Sequence, residues 1–108
     1  MEQVRAYSGR TTEALQLLAS RIRLARQKRQ MTTTELAERV GVSRITIRKI
    51  EQGSPGVRIG LVFEAASILG VALFDDDPGR LALEKRQVAS DLALLPRSVR
   101  KSVVNDDF

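Results

Sequence analysis

The chain has 108 residues, a formal charge of +5 and a sequence pI near 10.4, and it contains neither cysteine nor histidine. That length holds one compact domain and a tail. The missing side chains exclude disulfides, thiol nucleophiles, zinc sites and every triad built on imidazole, so no enzyme, metal or cofactor is expected. With three Phe, one Tyr and no Trp, the core has to be packed from Leu, Ile, Val and Ala. No apolar run reaches membrane-spanning length, and the N-terminus MEQVRAYSGRTTE carries acids and polar residues where a signal peptide would be apolar. The expectation is a cytoplasmic protein with no membrane contact.

Leu15, Leu18, Ile22 and Ala25 recur at spacings of three, four and three, which predicts an amphipathic helix over 12–29 with Thr11 or Thr12 as its cap. The run TTTE starts a second helix, because Thr32 and Glu35 stand in capping-box positions; Gly41 ends it. Ser43 caps a third helix running to about Gln52, and Gly53 stops it. After the break SPGVRIG, Leu61, Val62, Ala65, Ala66, Ile68 and Leu69 mark a fourth, largely buried helix ending at Gly70. Residues 71–74 are too short a connector to classify by periodicity. Asp77-Pro78 has the form of an N-cap followed by Pro at the first helical position, and Leu81, Val88, Leu92 and Leu95 stripe a final helix that Pro96 should end. RSVRKSVVNDDF has no period and many charges, so a mobile or partner-ordered tail is expected.

Charge is unevenly spread along this order. Residues 20–58 hold ten basic side chains against three acids, a net +7, and the rest of the chain is left with −2. A basic segment joined to a slightly acidic remainder fits a polyanion-binding module with a separate tail. Two short helices joined by a tight turn containing Gly, the second of them basic, satisfy the requirements of a helix-turn-helix. Ala37 lies where the helices approach most closely. Leu36, Val40, Val42, Ile47 and Ile50 anchor both on a shared core.

The segment RIRLARQKRQMTTTELAERVGVSRITIRKIEQG resembles the DNA-binding domain of Xre-type and phage-repressor regulators, and the resemblance continues to about Phe74. It implies an all-α, lambda-repressor-like bundle of about five helices with an extra C-terminal helix and tail. The third helix would then lie in the major groove with its first residues at base edges. With Ile47 and Ile50 inward, Arg44, Ile45, Arg48, Lys49 and Gln52 turn outward. Arg44 is the candidate for direct readout, since a guanidinium can donate two hydrogen bonds to guanine O6 and N7, and Ile45 is placed for a thymine methyl. Ser43, Thr46, Gln52 and Thr33 are assigned to phosphates, Arg48 and Lys49 to either task, and Arg58 to a phosphate or the flanking minor groove. The family often carries Gln where this chain has Thr33.

A narrower resemblance follows the third helix. The stretch IEQGSPGVRIGLVFEAASILGVALFD is similar to HipB-type antitoxins, which share a Pro near the turn and a Phe-containing fourth helix; some also end in an acidic tail with a terminal aromatic, as NDDF does here. The resemblance implies a homodimer on palindromic operators of double-stranded DNA, in complex with a HipA-family kinase toxin. In some such systems a third, small protein neutralises the kinase. Leu81, Val88, Leu92 and Leu95 are candidates for a dimer or toxin interface, with packing back on the domain as the alternative, and Phe108 for docking on the toxin. The resulting organisation is an N-terminal arm (1–11), the helix-turn-helix domain (12–74), the C-terminal helix (75–96) and the tail (97–108).

Other readings of the same residues are weaker. Three consecutive carboxylates, Asp75, Asp76 and Asp77, cannot easily converge on one ion, and turn formation with capping accounts for them. No phosphate-cradling Gly-Lys-Ser/Thr pattern exists. A free-standing or phage-type repressor, or a helix-turn-helix kept as a protein-interaction adaptor, remain as alternatives.

Overall fold

Five α-helices follow one another in the computed structural model of the chain, which describes residues 5–99 and 101. They are α1 (Gly9–Lys28), α2 (Thr33–Val40), α3 (Arg44–Glu51), α4 (Ile59–Ile68) and α5 (Pro78–Ala93). The chain divides into a unit up to Asp76 and a second from Asp77 onward.

The first helix corrects the expected start. Its cap is Ser8 rather than Thr11 or Thr12: the Ser8 hydroxyl oxygen accepts the Thr11 amide at 3.3 Å and donates to Thr11 Oγ1 at 3.1 Å. Because Ser8, three residues ahead of Thr11, satisfies the orphan Thr11 amide, the helix gains about a turn. At the other end Gln30 takes a left-handed φ of 55°. The Met31 amide then donates back to the Arg26 carbonyl at 3.1 Å, an exit usually made with Gly.

The capping box of α2 is complete. Thr32 Oγ1 accepts the Glu35 amide at 3.0 Å, and Glu35 Oε1 accepts the Thr32 amide at 3.2 Å. Gly41 leaves the helix at φ 85°, with the Gly41 and Val42 amides both donating to the Ala37 carbonyl. Gly53, at φ 74°, closes α3, and here space matters as well as conformation. A Cβ on Gly53 would lie 3.3 Å from the backbone of Leu15 and Gln16, a tight contact that α1 would have to yield to by a few tenths of an ångström, on top of the strain of a positive φ.

The core is aliphatic, as the composition requires. Ile22, Leu36 and Ile47 are fully enclosed, joined by Ala37, Ile50, Ala65, Ala66 and Leu69; Val40 and Val42 pack half-buried against them. Each fully buried Ile or Leu contributes about 1.5–3 kcal/mol relative to exposure. Helix α3 packs on α1 and α2, and α4 packs on α2. The connector after α4 is neither helix nor strand. The Asp75 amide donates to the Leu73 carbonyl at 2.8 Å around Phe74, whose φ is 70°, which is a γ-turn. The Phe74 ring meets Phe63 edge-on at 6.3 Å.

In the second unit, Asp77 caps α5 by accepting the Gly79 amide at 2.9 Å, with Pro78 at the first helical position. The helix ends at Ala93 with Leu94 as its cap, ahead of Pro96, whose ring disfavours helical backbone at Leu95. None of its residues is buried; Leu81, Val88, Leu92 and Leu95 are 41–63% exposed. Phe108 lies outside the described residues.

Candidate nucleic-acid interface

Helix α3 is positioned by its inner row. Ile47 and Ile50 are buried, and the pitch of 3.6 residues per turn then leaves Arg44, Ile45, Arg48, Lys49 and Gln52 on the exposed side. Ile45 is 63% exposed, although it is as apolar as the two residues that hold the helix down. Its position among cations, with no core to join, is the arrangement a thymine methyl would fill.

The start of α3 is organised by two hydroxyls. Ser43 Oγ accepts the Thr46 amide at 3.2 Å and lies 3.1 Å from Thr46 Oγ1. One hydroxyl proton serves that mutual bond and the other remains to donate outward, which is what a phosphate oxygen requires. Arg44, the first helical residue, stands exposed at the same end.

A second cluster forms where three helices meet. Thr33 from α2, Arg48 and Glu51 from α3, the α3 cap Gln52, and Arg23 and Arg26 from α1 line one cleft of about 260 Å³. Thr33, Arg48 and Gln52 are thus brought together as backbone-contact candidates. Arg58 is on another element, exposed at the N-cap of α4.

Sequence reasoning missed the organising contact of this cleft. Arg26 donates from Nε to Glu51 Oε2 at 2.7 Å and from Nη2 to Glu51 Oε1 at 2.9 Å, a bidentate pair whose side chains are only 12% and 7% exposed. Its Nη1 donates to the Met31 carbonyl at 2.9 Å, and its own carbonyl accepts the Met31 amide. The hydrogen bond to Glu51 raises the Arg26 pKa above its ordinary value; burial opposes that and the Glu51 charge adds to it. Nothing local could have flagged a pair separated by 25 residues.

The pair also revises the charge map. Arg26 and Glu51 cancel, which leaves nine cations against two acids between 20 and 58, and one of those acids, Glu35, is engaged in the α2 capping box. Arg29 is likewise occupied: its Nη1 donates to the Ile68 carbonyl at 3.2 Å and satisfies one of the last carbonyls of α4. Arg44, Arg48 and Lys49 on α3 remain unpaired among the described residues, as do Arg21, Arg23, Lys28, Arg39 and Arg58 on the other elements.

A family model described as a helix-turn-helix domain matches residues 17–76. The chain belongs to that family. Within the helix-turn-helix domain, α2 and α3 are the two short helices, Gly41 lies in the turn between them, and α1 and α4 supply the rest of the core. In DNA-binding helix-turn-helix domains the second helix of the motif enters the major groove. Comparison with curated proteins and with solved structures gave no match. No helix among the described residues is long and apolar enough to cross a membrane.

Proposed function

We propose that this helix-turn-helix protein is a sequence-specific transcriptional repressor that binds double-stranded operator DNA as a homodimer. The observation that carries the reading is the outer row of α3. Arg44, Ile45, Arg48 and Lys49 are all exposed on a helix locked by Ile47 and Ile50, and the one acid of that helix, Glu51, is neutralised by Arg26. Such a face offers hydrogen-bond donors, a methyl-sized apolar contact and net positive charge together, which is what base readout in a major groove needs. Arg44 and Ile45 read bases, Ser43, Thr46, Thr33 and Gln52 hold phosphates, Arg48 and Lys49 serve either task, and Arg58 adds a flanking contact. In a two-fold dimer, half-sites fall about 34 Å apart, one turn of duplex.

The narrower reading is a HipB-like antitoxin that represses its own promoter and joins a HipA-family kinase toxin. It is supported by the resemblance of residues 50–75, from IEQGSPG to the Phe-containing fourth helix. A HipA-type kinase gene adjacent to this one, and co-purification of its product with this chain, is the expected result. A solitary gene returns the reading to a free-standing or phage-type repressor.

Arg44→Ala tests the base-reading assignment. Loss of a bidentate contact should cost about 1–3 kcal/mol in operator affinity per half-site and relax base preference at one position of each half-site, measured by anisotropy on a set of singly substituted duplexes. Unchanged affinity and an unchanged footprint would remove Arg44 from the reading face. An adaptor that does not bind DNA would show no salt-dependent binding to any duplex.

A further inference from the structure

We propose that the cleft between α1, α2 and α3 seats a single DNA backbone phosphate, with Arg23 as a direct contact and Arg26 as a positioning residue that keeps Glu51 from opposing the anion. The inference rests on the DNA-binding reading above and deepens it, because it moves part of the interface off the recognition helix and onto α1.

Three observations converge on this cleft. First, Arg23 and Arg26 are three residues apart on α1, so both side chains leave the same face of that helix, and both line the cleft. They have different tasks. Arg26 spends its guanidinium on Glu51 and on the Met31 carbonyl, whereas Arg23 is exposed and makes no ion pair among the described residues. Second, Arg48 enters from α3, also exposed and without an ion pair among the described residues. Thr33 and Gln52 add a hydroxyl and an amide donor at the same place. With three arginines and one glutamate the lining carries +2, which suits one phosphodiester charge with donors to spare.

Third, the acid in the cleft is neutralised by design of the fold. Each Glu51 carboxylate oxygen accepts one Arg26 N–H, so neither faces an incoming phosphate bare. Without Arg26 the same carboxylate would be an uncompensated anion lining the phosphate site. Arg26 thus acts on DNA through Glu51, with no need to touch it.

The test is a salt titration of operator binding by the full-length protein, read by fluorescence anisotropy, beside a thermal melt of each variant. Arg23→Gln should lower the slope of log affinity against log salt by about 0.9 for each protomer bound, about 1.8 for the dimer, and weaken binding about eightfold per protomer at 0.1 M salt, equally on operator and on mixed-sequence duplex. Arg26→Gln should weaken DNA binding, whereas Glu51→Gln should preserve or tighten it and steepen the salt slope, since it releases a cation into the cleft. A purely structural ion pair predicts that these last two variants weaken binding alike, and that result would overturn the positioning role. A folded Arg23→Gln protein with wild-type slope and affinity would overturn the phosphate seat while leaving α3 readout intact. Absence of any salt-dependent duplex binding by the wild-type protein would remove the DNA-binding reading itself, and the seat with it.

Discussion

Helices α3 and α5 both have a capped start and apolar residues at helical spacing, yet only α3 buries them. The inner row of α3 is enclosed by α1 and α2, so its basic outer row is held in one orientation. In α5, Leu81, Val88 and Leu92 are exposed, as is Leu95 just beyond its end, although the sequence predicts a helix up to Pro96. The contrast teaches that an amphipathic pattern specifies a helix and a face but not what covers the face. For α3 the cover is in the chain's own first unit. For α5 the candidates are a second copy, a protein partner and the chain's own first unit.

The comparison is most sharply tested in the core. Ile47→Ala should cost about 2–5 kcal/mol of unfolding free energy in a denaturant melt, because it opens a cavity at a fully enclosed site. A loss below about 1 kcal/mol would mean that α3 is not held by its inner row. A smaller effect is expected at the α2 cap: Thr32→Ala should cost about 1 kcal/mol by the same melt, through the orphaned Glu35 amide and the broken box. The smallest stability effect belongs to α5. Leu92→Ala should change the melt of the chain by no more than about 0.5 kcal/mol while lowering the association state in sedimentation equilibrium. A stability loss comparable to that of Ile47→Ala, with no change in association, would show that Leu92 is covered within the folded chain and erase the difference between the two helices.

Much of the first unit was legible because its signals are local. Thr32 and Glu35 announce a capping box three residues apart, Gly41 and Gly53 mark left-handed exits, and Ile47 and Ile50 define a face through the helix pitch alone. The start of α1 was misplaced because Ser8, Thr11 and Thr12 are all competent caps, and propensity does not rank a cap against one a turn earlier. The γ-turn at Phe74 escaped for a related reason: a positive φ is uncommon for any residue but Gly, and no residue preference predicts it at a Phe.

The site divides along the same line. Outward placement of Arg44, Ile45, Arg48 and Lys49 follows from the inner row, so the sequence by itself determined the helix-turn-helix and the basic outer row of its second helix. The convergence of Arg23, Thr33, Arg48 and Gln52 on one cleft, and the pairing of Arg26 with Glu51 across it, were decided only when α1 packed on α3. Caps, turns and faces are set by interactions within a few residues, which a linear pattern records. The pairing of two charges 25 residues apart depends on where helices dock, and a count of cations gives no weight to whether one is already spent on an acid.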